Sequence, residues 1–206
     1  LDHGQIWHQR YSLITRRQSS LQAKSMKIIL SELTKNFLPE LIASAREVSD
    51  ALTYIGHFTS NISKVDTETI FDLEIRQNRG DCNGYYGIAQ DLSVYFNTPL
   101  KLSSHPIEYG KNPLDIQIMS TDVKRIIATT ISNIKNSSSP KWLINFLSAH
   151  QINSINTLVD LTNYITLLYG IPCHAFDTKK STSHLVWENN TSYPSITTLD
   201  GSNPKL

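Results

Sequence analysis

Between residues 44 and 96 the hydrophobic period changes twice, which limits the folds open to this chain more than any other feature. Ser44 and Glu47 form an S-x-x-E capping box, and Ala45, Val48, Leu52 and Ile55 follow at helical spacing up to a stop at Gly56. Phe71, Leu73 and Ile75 then alternate with Asp72 and Glu74, the pattern of a strand with one wet face. Tyr85, Ile88, Leu92 and Phe96 return to helical spacing. Neither an all-helical nor an all-β domain accommodates that order, so the pattern predicts an α+β fold.

The same reading extends along the chain. "MKIIL", from Met26, is a short apolar opening. Residues 97–113 are loop-like, with Pro99, Pro106, Gly110 and Pro113, and the pattern predicts a domain boundary there. Leu114, Ile116 and Ile118 alternate as a strand, and the Ile- and Thr-rich residues 124–134 predict another. Ser139 is expected to cap a helix with Pro140 at its first position, burying Trp142, Leu143, Phe146 and Leu147. Leu158, Leu161, Ile165 and Leu168 mark the next helix, and "HLVWE" a last strand. The division expected is a leader over 1–25, a small helix-and-strand domain over 26–98 and a mixed α+β domain over 114–206.

Composition excludes several classes. The 206 residues are 39% hydrophobic and 18% charged, which permits a core and argues against wholesale disorder. No apolar run approaches the roughly 20 residues of a membrane helix. A formal charge of +1 gives no general attraction to nucleic acid, so any such contact must be local. Cys82 and Cys173 lack a C-x-x-C partner and read as free thiols of a reducing compartment, the cytoplasm. Residues 1–25 hold Arg10, Arg16, Arg17 and Lys24 against the single acid Asp2 and have no apolar signal core. They read as sequence upstream of a start at Met26, with a transit peptide as the alternative, and are left out of the fold.

No glycine-rich phosphate loop and no H-x-x-x-H zinc pair is present. What remains is "LVDLTNYITLLYGIPCHAFD", residues 158–177. A core helix has no need of Asp160, Thr162 and Asn163, nor of a break at Gly170-Ile171-Pro172 that delivers His174 and Asp177. Thr162 and Asn163 lie about 100° apart around a helix, so both can border one cleft, and the break can fold His174 back towards them. A hydroxyl, an amide and an imidazole at one rim can orient water and bind a polar ligand. The structural alternative gives each group a local partner: Thr162 on a carbonyl one turn back, Asn163 on backbone, His174 in the core.

These residues also carry a family resemblance. "SPKWLINFLSAHQINSINTLVDLTNYITLLYGIPCHAFD" resembles the signature of the phenylalanine–tRNA ligase beta chain of bacterial type, S-P-x-W-L, I-N-x-x-V-D-x-T-N-Y and G-x-P-x-H-A-F-D. "FDLEIRQNRGDCNGYYGIAQDLS" is similar to its E-I-x-x-N-R-x-D-C block, and "TTLDGSNPKL" to its T-L-D-G. The resemblance implies a small N-terminal domain followed by an editing domain that hydrolyses tyrosine misattached to tRNA(Phe). A second sieve is needed because a hydrophobic pocket rejects one added hydroxyl only weakly. In that frame His174 orients water or substrate, while Thr162 and Asn163 bind the aminoacyl end. Asn78, Arg79, Asp81, Pro140, Trp142, Asp160 and Asp177 match structural motif positions, with Asn78 to Asp81 as a hydrogen-bonded turn.

Two departures shape the expectation. Only "HFTSNISKVDTET" stands where the family inserts an oligonucleotide-binding barrel, and the editing domain of the family continues past the equivalent of Leu206. The chain is therefore expected to be a fragment of the beta subunit, inactive alone. ATP and Mg2+ are implied for the whole enzyme and no cofactor for this part. The alpha subunit, in a heterotetramer, and tRNA(Phe) are the implied partners. A free-standing hydrolase of mischarged tRNA and a non-catalytic tRNA-binding scaffold are the alternatives.

Overall fold

The computed structural model describes residues 24–102, 110–111, 114–178 and 184–187. The chain is mixed α+β and divides into two compact units. Of the described residues, the larger joins those within 21–106 to 135–175, and the smaller joins those within 107–134 to those within 176–206.

The larger unit is built on an antiparallel sheet of order β1-β3-β2, formed by Lys24–Ile29, Phe58–Val65 and Glu68–Ile75. The alternation read from the sequence sets the faces of the central strand β3. Phe71, Leu73 and Ile75 point into the core, and Met26 and Ile28 of β1 lie opposite Leu73 and Phe71. On the outer face Lys27, opposite Asp72, makes an ion pair with it. β2 and β3 are joined by Asp66 and Thr67, with Asp66 at a φ of 52°. This two-residue hairpin carries Asp-Thr in place of the Asn-Gly or Asp-Gly that makes hairpins legible. β2 itself is mostly exposed, so its sequence lacks an apolar alternation, and it was not expected.

The helices close one side of this sheet. Helix α1 (Leu30–Phe37), also not expected, is only 8 residues long and buries Leu33 and Phe37 one turn apart. Helix α2 (Ala45–Tyr54) has the full capping box: Glu47 N–H donates to Ser44 Oγ, and Ser44 N–H donates to the Glu47 carboxylate at 2.7 Å. Gly56 follows with φ 103°, as the stop requires. Helix α3 (Tyr85–Tyr95) buries Tyr85, Ile88 and Leu92 as its spacing predicts. The Tyr85 hydroxyl accepts from Ile29 N–H at 2.8 Å, joining α3 to the end of β1.

Residues 135–175 complete this same core, which differs from the division expected at 97–113. Leu143, Phe146 and Leu147 of helix α4 (Lys141–Ala149) and Leu168 of helix α5 (Thr157–Tyr169) belong to one apolar cluster with β1, β3 and α1–α3. Chain distance hides this, because a loop can separate two halves of one core at modest entropic cost. His150, just past α4, bonds the Lys27 carbonyl and the Tyr85 hydroxyl. Pro140, not Ser139, is the residue preceding α4, because the Ser139 hydroxyl is engaged elsewhere. Trp142 is 49% exposed and lies edge-on to Tyr164 rather than in the core, and Leu161 and Ile165 are each 39% exposed.

In the smaller unit the expected strands β4 (Asp115–Ile118) and β5 (His184–Trp187) pair in parallel. Residues 124–134 form no strand, in contrast to the expectation from their Ile and Thr content. Propensity alone gives no ladder partner, and Ile127 and Ile131 stand exposed. The leader's first 23 residues and the "TTLDG" block lie outside the described residues.

Candidate functional site

Asp160, the carboxylate that a core helix has no need of, is fully buried in the first turn of α5. It accepts hydrogen bonds from the hydroxyls of Ser139 and Ser154 and from Ile155 N–H at 2.9 Å. Burial pushes its pKa up, but these bonds and one from Asn156 N–H outweigh it and hold the pKa below the ordinary carboxylate value. Asn156 caps the helix, its side chain accepting from Val159 N–H at 3.1 Å. Asp160 thus ties two approach loops to the start of α5. Asn136 to Ser139 and Ser154 to Asn156 also line an open cavity of about 240 Å³ there. Neither that cavity nor the role of Asp160 as an anchor was legible from spacing.

Thr162 and Asn163 sit one turn further on, both half-buried. The Thr162 hydroxyl donates to the Val159 carbonyl at 2.7 Å, the local bond that threonine makes within helices. Asn163 makes no side-chain hydrogen bond with another described residue. α5 ends at Gly170, whose φ of 69° is left-handed, and Gly170 N–H donates to Thr166 O at 2.8 Å. The chain then turns back on the helix: Cys173 N–H donates to Thr166 Oγ1 at 3.1 Å. His174 follows, exposed at its surface yet close enough to protein that desolvation lowers its pKa. Its imidazole is therefore biased to the neutral form, which can accept a proton. Asp177 is exposed.

Asn78 to Asp81 form a hydrogen-bonded turn, with Arg79 N–H donating to Arg76 O at 2.9 Å and Asn78 exposed. The Arg79 guanidinium donates to both oxygens of Asp81 and, at 2.8 Å, to Asp91 of α3. Its hydrogen bonds hold the Asp81 pKa down at about 2. Beside it burial pushes the Cys82 thiol up to about 12, which makes that cysteine an inert core group. His57 Nε2, Cys82 Sγ and Asp91 Oδ2 come close enough together to hold a metal ion. The Arg79 guanidinium, however, lies 2.9 Å from the sulfur and 2.8 Å from the carboxylate, where a cation would sit. A thiol and an imidazole also do not suit Mg2+, which takes oxygen ligands.

Comparison with known proteins bears on these motifs as a set. Residues 122–206 match the B3/4 domain model. The chain is 35% identical over 156 residues to the phenylalanine–tRNA ligase beta subunit of Carboxydothermus hydrogenoformans, covering 74% of this chain and 19% of the relative. It is also 35% identical over 139 residues to that of Fusobacterium nucleatum, covering 65% and 17%. Over part of its length the chain is similar to phenylalanine–tRNA ligase beta subunits. It spans about a fifth of the length of the beta subunits it matches. A solved N-terminal fragment of the phenylalanyl-tRNA synthetase beta-subunit from Pyrococcus horikoshii aligns with 46% of this chain and 26% of its own, at 16% identity and a TM-score of 0.33. The stretch matching the B3/4 domain runs across both compact units, since residues 135–175 belong to the larger and the rest to the smaller.

Proposed function

We propose that this chain serves, within a phenylalanine–tRNA ligase beta subunit, in hydrolytic editing of tyrosine misattached to tRNA(Phe), with His174 orienting water or substrate and Thr162 and Asn163 binding the aminoacyl end. The observation that carries this reading is the return of the chain after Gly170. The bond from Cys173 N–H to Thr166 Oγ1 brings the residue before His174 back beside the C-terminal half of α5, the helix that bears Thr162 and Asn163. The Thr162 hydroxyl gives its proton to Val159 O, so it meets a ligand as an acceptor. Neutral His174 can accept a proton from attacking water, and Asn163 can both donate and accept at the ester.

Aminoacylation belongs to the assembled ligase in this reading, with the alpha subunit and tRNA(Phe) as partners and the cytoplasm as its setting. ATP and Mg2+ serve that reaction and act outside these residues. No helix among the described residues is long and apolar enough to cross a membrane.

The test is His174→Ala in the assembled ligase. Removal of tyrosine from mischarged tRNA should slow by roughly 10²–10⁴-fold, the contribution of one positioned acid–base group, with phenylalanine charging nearly intact. Unchanged deacylation with collapsed charging would show that His174 is a structural group and the editing assignment is wrong.

A further inference from the structure

The turn that follows α5 is held at two points. At the first, Gly84 and Gly170 meet backbone to backbone: a Cβ on Gly84 would lie 2.3 Å from the Gly170 nitrogen and 2.7 Å from the Tyr169 carbonyl carbon. At the second, the Thr166 hydroxyl is used in both directions. It donates to the Thr162 carbonyl at 2.8 Å and accepts from Cys173 N–H at 3.1 Å. A helix needs neither bond. The first is an ordinary threonine back-bond, but the second reaches out of the helix to the residue that precedes His174. Tyr169, between these points, packs edge-on against Phe37 at 5.8 Å and, tilted by 42°, against Tyr86 at 6.2 Å, so the end of α5 is itself seated.

We propose that Thr166 is a positioning residue. Acting through the Cys173 amide, with Gly84 as the backstop for Gly170, it presets the place of His174 beside α5. The catalytic consequence rests on the editing reading of His174; the positioning does not. Valine has the shape of threonine and no acceptor, whereas serine keeps the acceptor and loses a methyl. The two substitutions therefore separate the bond from the packing.

Amide hydrogen exchange at Cys173, read in the 206-residue chain, tests the positioning directly. In Thr166→Val it should quicken by about tenfold or more, while Thr166→Ser stays near the parent and the β3 amides are unchanged in both. Gly84→Val, which pushes on the turn from the other anchor, should quicken the same amide. In the assembled ligase Thr166→Val should lower kcat for tyrosine removal by roughly 10- to 100-fold with little change in KM, and Thr166→Ser should restore it, because a small misplacement of a catalytic group is that costly. Exchange at Cys173 that is equal in Thr166→Val and the parent overturns the proposal, as does equal quickening in Thr166→Ser. Faster exchange with unaltered deacylation supports the positioning and overturns instead the role of His174 in editing.

Discussion

Asp160 has no access to water and four donors on two loops converge on it, so its ionised form is built into the fold. Asp160→Asn replaces one acceptor oxygen by an NH2 that faces donors. It should destabilise the chain by about 2–4 kcal/mol at neutral pH, the size expected for hydrogen bonds to a charged group left partly unmade. The folded pKa is lowered, so this stability is present above the unfolded carboxylate range and is lost as pH falls through the folded value. Urea unfolding of parent and variant should therefore differ fully above about pH 4 and converge below it. A gap that persists unchanged into strong acid would mean that the carboxylate is not held ionised. The charge pattern of the sequence marks Asp160 as odd in a helix, but which donors answer it depends on loops that are separate in the chain.

Among the elements, α2 shows what local sequence decides alone. Ser44 and Glu47 satisfy each other across one turn, and the box read from spacing is the box observed. Ser44→Ala should cost about 1 kcal/mol in urea unfolding, and a loss below a few tenths would show that water replaces the cap without penalty. α5 shows the opposite. Its length and its stop at Gly170 were legible, yet its buried face is not the Leu161 and Ile165 stripe. The helix lies on α4 through Tyr164, which meets Trp142 at 5.3 Å and Phe146 at 4.7 Å, and so turns its aliphatic stripe partly to solvent. An amphipathic pattern says that one face is apolar; where two faces compete, the neighbour chooses.

For the whole molecule, the larger unit owns a continuous core from β1 to α5. In the smaller unit Ile127 and Ile131 are 82% and 68% exposed, in a β-branched stretch that forms no strand. Exposed apolar, β-prone segments without a ladder partner are association sites. The chain should therefore self-associate with rising concentration in sedimentation velocity, and Ile127→Lys with Ile131→Lys should reduce it. A parent chain that stays monomeric throughout would count against that surface.

The sequence by itself determined the α+β class, the capped α2, the central strand β3, the helix α3 and the turn at Asn78 to Asp81. Each is dictated by contacts within a few residues or by a period that one strand or helix carries alone. It also carried the resemblance to phenylalanine–tRNA ligase beta subunits, because motifs in a fixed order can be read without knowing the packing. The tertiary structure alone decided that residues 135–175 share the core of residues 21–106, that the Ile-rich stretch 124–134 forms no strand, and that Ser139 serves Asp160 instead of a helix cap. All three depend on partners distant along the chain, and the free energy of such a contact depends on both partners, only one of which any local stretch contains.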